Sequence, residues 1–98
     1  MTGSTRSSDG LDLRRRKLLF RSWHRGMREM DLIMGRFADS TIDGLDDNEL
    51  AEFERLIEMP DREVLAWITG ECEVPAALDS GLLRRLRDFH FARRGGRP

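Results

Sequence analysis

Between Ser22-Trp23-His24 and a run of apolar residues at helical spacing stands Arg25-Gly26-Met27-Arg28-Glu29-Met30-Asp31. These residue types suit the recognition of a polar partner group. They offer a guanidinium, a carboxylate four positions on, and a glycine between charged neighbours that lets another backbone approach closely. If the segment is helical, Arg25 and Glu29 lie on one face. A helical wheel extends that stripe through Leu32 and Arg36, away from Met27, Met30, Met34 and Phe37, and predicts that the stripe is exposed. Two readings compete. In one, Arg25 and Glu29 form a surface ion pair contributing only ~0.3–0.5 kcal/mol, and Gly26 caps the preceding helix. In the other, the segment with Leu32 and Trp23 is a small docking patch. Spacing does not fix the distance of Glu29 from any proton, so no catalytic residue is assigned.

Other chemistries find little support. The single Cys72 excludes an internal disulfide, and its spacing from His24 and His90 is not that of metal ligands, so no metal is expected. Cys72 is expected to be an inert, part-buried thiol. No glycine fingerprint follows a predicted strand, so stable FAD binding by this chain alone is not expected. No apolar run approaches the ~20 residues of a membrane span. The N-terminal residues lack an apolar signal core, and Asp9 and Asp12 argue against a mitochondrial transit peptide. The expectation is a cytoplasmic bacterial monomer with no membrane partner. A chain of 98 residues buries roughly 65% of the surface its unfolded form exposes, enough for one core but not for a large enclosed cleft.

The net charge of −1 conceals segregation. Residues 1–28 hold eight basic side chains against two acids, a net +6. Residues 29–73 hold fourteen acids against three arginines, a net −11. Residues 74–98 hold six arginines against two acids, a net +4. Such asymmetry marks either a partner-facing surface or charge balance between packed helices, and the sequence leaves both open.

The elements that must position the motif are all helical, since no stretch alternates long enough for a strand. The first helix starts after Asp12 as N-cap and runs through Leu18, Leu19, Phe20 and Trp23. The second is expected from about Gly26 to Ala38. Asp46 and Glu49 form a capping box at the third, with Leu45 and Leu50 as its hydrophobic staple. Pro60-Asp61 ends the third and opens the fourth, which Gly70 closes. The fifth spans about Ala77 to Ala92. Trp67, Met30 and Met34 are assigned to the core, while Trp23 is left between core and partial exposure. The predicted fold is an all-α, compact five-helix bundle over residues 12–92, with a disordered tail over 1–11 and a mobile basic tail over 93–98.

The ordered pattern R-G-x-x-E-x-D, with Phe37, Leu50, Pro60-Asp61 and Trp67 downstream, resembles the small bacterial succinate dehydrogenase assembly factors, the FAD assembly factor family. The resemblance covers roughly residues 14 to 90. It implies a dedicated chaperone for the flavoprotein subunit of succinate dehydrogenase, and in some bacteria of fumarate reductase. Such a helper is not an enzyme. It promotes a bond between a client histidine and the flavin 8α-methyl group, by a flavin quinone methide that the histidine attacks. Carried over by position, Arg25, Gly26 and Glu29 would bind the client, with Arg21, His24 and Asp31 as neighbours. Two rivals remain. One is a nucleic-acid binder using Arg14-Arg15-Arg16-Lys17 with Phe20 and Trp23, which the acidic middle of the chain disfavours. The other is an antitoxin-like regulatory protein.

Overall fold

The computed structural model describes residues 10–93, within which five α-helices and two 3-10 turns are found and no strand. The helices are α1 (Leu13–Trp23), α2 (Arg28–Thr41), α3 (Asp47–Ile57), α4 (Asp61–Thr69) and α5 (Gly81–Arg93). The all-α expectation holds. Most of the two expected tails, residues 1–9 and 94–98, lies outside the described residues.

Local signals set most boundaries. Asp12 caps α1 by accepting from the Arg15 backbone N–H at 2.8 Å. At α3 the capping box is complete: Glu49 N–H donates to Asp46 Oδ1 at 2.8 Å, and Asp46 N–H donates to Glu49 Oε1 at 3.0 Å. Gly70 ends α4 in the left-handed region at φ +85°. Three boundaries differ from expectation, the first being that α2 runs on to Thr41, past the expected end at Ala38. The second helix starts at Arg28, not Gly26, because residues 24–27 are used to reverse the chain. The fifth starts at Gly81 because Ala76–Leu78 form a separate 3-10 turn, and Ser80 Oγ accepts from Leu83 N–H at 3.2 Å as the true cap. Cys72 also departs from expectation: it lies just beyond α4 and is exposed rather than part-buried.

The core gathers one stripe from every helix. Leu18 and Leu19 from α1 meet Met30, Met34 and Phe37 from α2, Phe53 and Leu56 from α3, Val64 and Trp67 from α4, and Leu82 and Leu86 from α5. Phe37 sits at its centre, tilted against Phe53 at 5.6 Å and edge-on to Phe89 at 5.7 Å. The most extensive helix pairing is α1 on α2, and α5 closes the bundle against α2, α3 and α4.

Trp23 is buried, which resolves the question left by the sequence. Its indole lies directly on Gly35 of α2, where an added Cβ would come within 2.3 Å of the ring. Trp23 Nε1–H donates to Asp39 Oδ1 at 3.2 Å, so the one polar atom of the ring is satisfied. The glycine that close packing requires is therefore Gly35.

Charge segregation is resolved largely within the fold. Arg14 forks onto Glu54 at 2.8 and 2.9 Å, Arg21 reaches Glu58 at 2.7 Å, and Arg85 reaches Glu49 at 2.7 Å. Basic α1 and α5 thus flank acidic α3. The fork from Arg14 holds the Glu54 carboxyl below its ordinary value, and the backbone N–H of Arg15 does the same for Asp12. A depressed carboxylate stabilises the fold above its unfolded pKa, and that contribution is lost as pH falls through the folded value.

Gly35→Ala should destabilise the protein by about 1–3 kcal/mol through overpacking, despite a helix-propensity gain of about 1 kcal/mol. A thermal melt reads this as a fall of at least ~4 °C. A melt equal to the wild type would show that the ring can move aside at little cost.

Candidate functional site

Four residues, His24 to Met27, reverse the chain between α1 and α2. The reversal needs one residue in the left-handed region, and Gly26 occupies it at φ +87°. Its space is open on the protein side: an added Cβ would find only Asp61 Oδ2, at 4.0 Å. Within the fold Gly26 thus serves backbone conformation rather than close packing. It is also exposed, so its bare face is available to another molecule.

Arg25 is not on the helical stripe that the sequence suggested. It lies in the turn, with its side chain only 11% exposed, and it does not pair with Glu29. Its guanidinium faces Asp61 at the start of α4, with Nε and Nη2 both 2.8 Å from Oδ1, and Nη2 also donates to the Met59 carbonyl at 3.2 Å. The Arg25 backbone N–H donates to Asp31 Oδ1 on the first turn of α2. Arg25 therefore ties the motif turn to the α3–α4 turn, and Asp31 ties it to its own helix. Sequence reasoning missed the role of Asp61. Its one visible signal was an acid following Pro60, which reads equally well as ordinary helix-start chemistry.

The remaining motif residues face outwards. Glu29 is exposed on the first turn of α2 and makes no side-chain hydrogen bond or ion pair among the described residues. Leu32 is half-buried and Arg36 exposed, and with Glu29 they border a groove between α2 and α5. On the α1 side, His24 stacks on Phe20 with ring centres 3.9 Å apart, and its Nδ1–H donates to the Phe20 carbonyl at 2.7 Å. Phe20 is 62% exposed. Arg21 is exposed but engaged with Glu58.

The six residues singled out by sequence thus divide. Arg25 and Asp31 build the turn, Gly26 permits it, Glu29 and His24 are presented to solvent, and Arg21 belongs to the α1–α3 contact. What the arrangement offers chemically is a carboxylate held on a fixed helix turn beside a bare backbone. Among the described residues no three His, Cys, Asp or Glu side chains converge to hold a metal ion. No helix there is long and apolar enough to cross a membrane.

These assignments separate by thermal melting. Asp61→Ala strands the half-buried Arg25 guanidinium and should cost about 1–3 kcal/mol. Gly26→Arg forces a side chain into the left-handed region and should cost about 1–2 kcal/mol. Glu29→Ala removes no intramolecular partner and should melt within ~2 °C of the wild type, the scatter of an ordinary surface change.

Comparison with known proteins identifies the family. Residues 16–90 match the Sdh5 family, described as the flavinator of succinate dehydrogenase. A protein of Acetobacter pasteurianus named FAD assembly factor SdhE is 38% identical over 90 residues, covering 92% of this chain and 83% of the relative. The mitochondrial succinate dehydrogenase assembly factor 2 of Dictyostelium discoideum is 37% identical over 70 residues, covering 71% of this chain and 50% of the relative. That of Debaryomyces hansenii is 33% identical over 69 residues, covering 70% and 49%. The chain thus spans about half the length of these mitochondrial relatives. With the family match covering the motif turn and all but the ends of the bundle, the chain belongs to the succinate dehydrogenase flavinator family.

Proposed function

We propose that this protein binds the flavoprotein subunit of succinate dehydrogenase in the bacterial cytoplasm and promotes covalent attachment of FAD to it. The observation that carries the reading is the division within the motif turn. Arg25, Asp31 and Asp61 rigidify it from inside, while Glu29 is left exposed with no intramolecular partner beside the bare backbone of Gly26. Charged groups kept unpaired on a rigid surface are suited to a partner's polar groups, because little ordering remains to be done on binding.

On this reading the protein is a helper and not an enzyme. FAD belongs to the client, and the bond forms between a client histidine and the flavin. The helper contributes by holding client segments so that the histidine and the flavin methyl carbon stay near attack distance. Fixing two reactants in that way lowers a barrier by as much as ~7–11 kcal/mol in the best intramolecular cases. Gly26 gives the client close access to the turn, and Glu29 orients a client donor.

Deleting the gene should leave the flavoprotein subunit synthesised but poorly flavinylated, with loss of succinate oxidation. In-gel flavin fluorescence of the client in deletion and wild-type cells is the measurement, and equal fluorescence would overturn the reading. Complementation with Glu29→Ala should restore fluorescence only weakly while the variant accumulates to wild-type levels. A site that served scaffold alone would give the opposite result, with flavinylation intact wherever the protein is folded.

A further inference from the structure

The motif accounts for one end of a larger feature. Glu29, Leu32, Ile33, Arg36, Phe89 and Arg93 are among the residues lining a groove of about 200 Å3 between α2 and the last turns of α5. Its floor is apolar: Ile33 is buried, while Leu32 and Phe89 are half-buried against the core. Its rim is ionic, with two guanidinium groups and one carboxylate. None of the three has an opposite charge within ion-pair distance among the described residues, although they share one groove. Arg93 rests instead over the Phe89 ring, 5.7 Å from its centre.

Unpaired charge alone does not set the groove apart, since Arg16, Lys17, Arg28, Arg55, Arg62 and Arg87 also lack an ion pair among the described residues; the apolar floor between the charges does. Arg14, Arg15, Arg21, Arg25, Arg84 and Arg85, by contrast, each meet a carboxylate. Glu29 and Arg36 are seven residues apart on α2, which is about 10.5 Å along the axis. That exceeds the screening length of about 8 Å at physiological ionic strength, so Glu29 does little to neutralise Arg36. An apolar floor ringed by unpaired charge has the layout of a recognition surface, with a dry centre and a polar rim. The rim carries two positive charges against one negative, so the complementary occupant is negative on balance.

We infer that the α2–α5 groove seats a client segment carrying an apolar side chain flanked by a carboxylate, the apolar group on Leu32 and Phe89 and the carboxylate on Arg36 and Arg93. The inference rests on the reading that the client is the succinate dehydrogenase flavoprotein. It extends the client interface from the motif turn onto α5, a helix that the motif does not reach. Glu29 stands at the junction of the two parts and faces a donor on the same segment.

The experiment measures affinity of the full-length protein for the purified flavoprotein subunit of the same organism by calorimetry, at low and high ionic strength. Arg36→Glu with Arg93→Glu should weaken binding by about tenfold or more at low salt, with a smaller effect at high salt. The control is Arg16→Glu with Lys17→Glu, which makes the same change in net charge on the outer face of α1 and should stay within about twofold. Leu32→Ser should weaken binding by a factor that salt leaves unaltered. Melting curves of each variant establish that it is folded. If both reversals weaken binding equally, the attraction is one of net charge and the groove assignment is overturned. It is likewise overturned if the groove variants bind as the wild type does. Should the wild type itself show no affinity for the flavoprotein, the proposed function falls and the groove assignment with it.

Discussion

Trp23 can lie across α2 only because position 35 has no side chain, and the geometry of the motif follows from that contact. With the indole on Gly35, the end of α1 is fixed against the middle of α2. The chain must then travel back to the start of α2 within residues 24–27. So short a reversal demands a left-handed residue, which Gly26 provides. It also turns Arg25 inwards, toward the α3–α4 turn, where Asp61 and the Met59 carbonyl receive it. Glu29 then emerges, exposed, on the first turn of α2. A substitution that lifted Trp23 off Gly35 would move every one of these groups together.

The charges of the chain follow the same plan. Single exposed ion pairs contribute little to stability, so the contacts of Arg14, Arg21 and Arg85 with α3 are better understood as setting register than as holding the bundle together. Their consequence is subtractive. Once α1 and α5 have met the carboxylates of α3, the groups left without an ion pair among the described residues mark where the surface is still electrostatically incomplete. Several of these, among them Arg28, Arg55, Arg62 and Arg87, are scattered, whereas Glu29, Arg36 and Arg93 border one apolar groove. Arg16 and Lys17 lie instead along the outer face of α1, beside exposed Leu13 and Phe20.

Much of the fold was legible because its signals are local. The Asp46–Glu49 box, the Pro60-Asp61 break, the Gly70 stop and the spacing of Met30, Met34 and Phe37 each concern residues within one helix or its cap. What could not be read was tertiary. Arg25 has an acid four residues ahead and pairs instead with one 36 residues away. Gly35 sits in a helical pattern where glycine is merely tolerated, and only the position of Trp23 explains it. Gly26 admitted a conformational and a close-approach reading from sequence, and its positive φ supports the conformational one within the fold. The groove was half visible: Leu32 and Arg36 were on the predicted stripe, while Phe89 and Arg93 join them only through the packing of α5 on α2.

Arg25 illustrates how a residue can serve a motif without touching a partner. If both charged residues of R-G-x-x-E faced the client, the turn would have to keep its shape with no internal support, and binding would carry the cost of ordering it. Here the arginine is spent on shape and the glutamate is left exposed. The pair Arg25–Asp61 is only partly exposed, so its attraction is less screened than that of a surface pair. The turn is therefore held in shape from within, and on the proposed reading a partner contact at Glu29 would carry little cost of loop ordering. A helper that acts by positioning gains most from such rigidity, because a displacement of about 1 Å at a reacting centre can cost a hundredfold in rate. On the proposed reading, a bundle of five short helices is sufficient for that task, provided that its few exposed contacts are fixed from within.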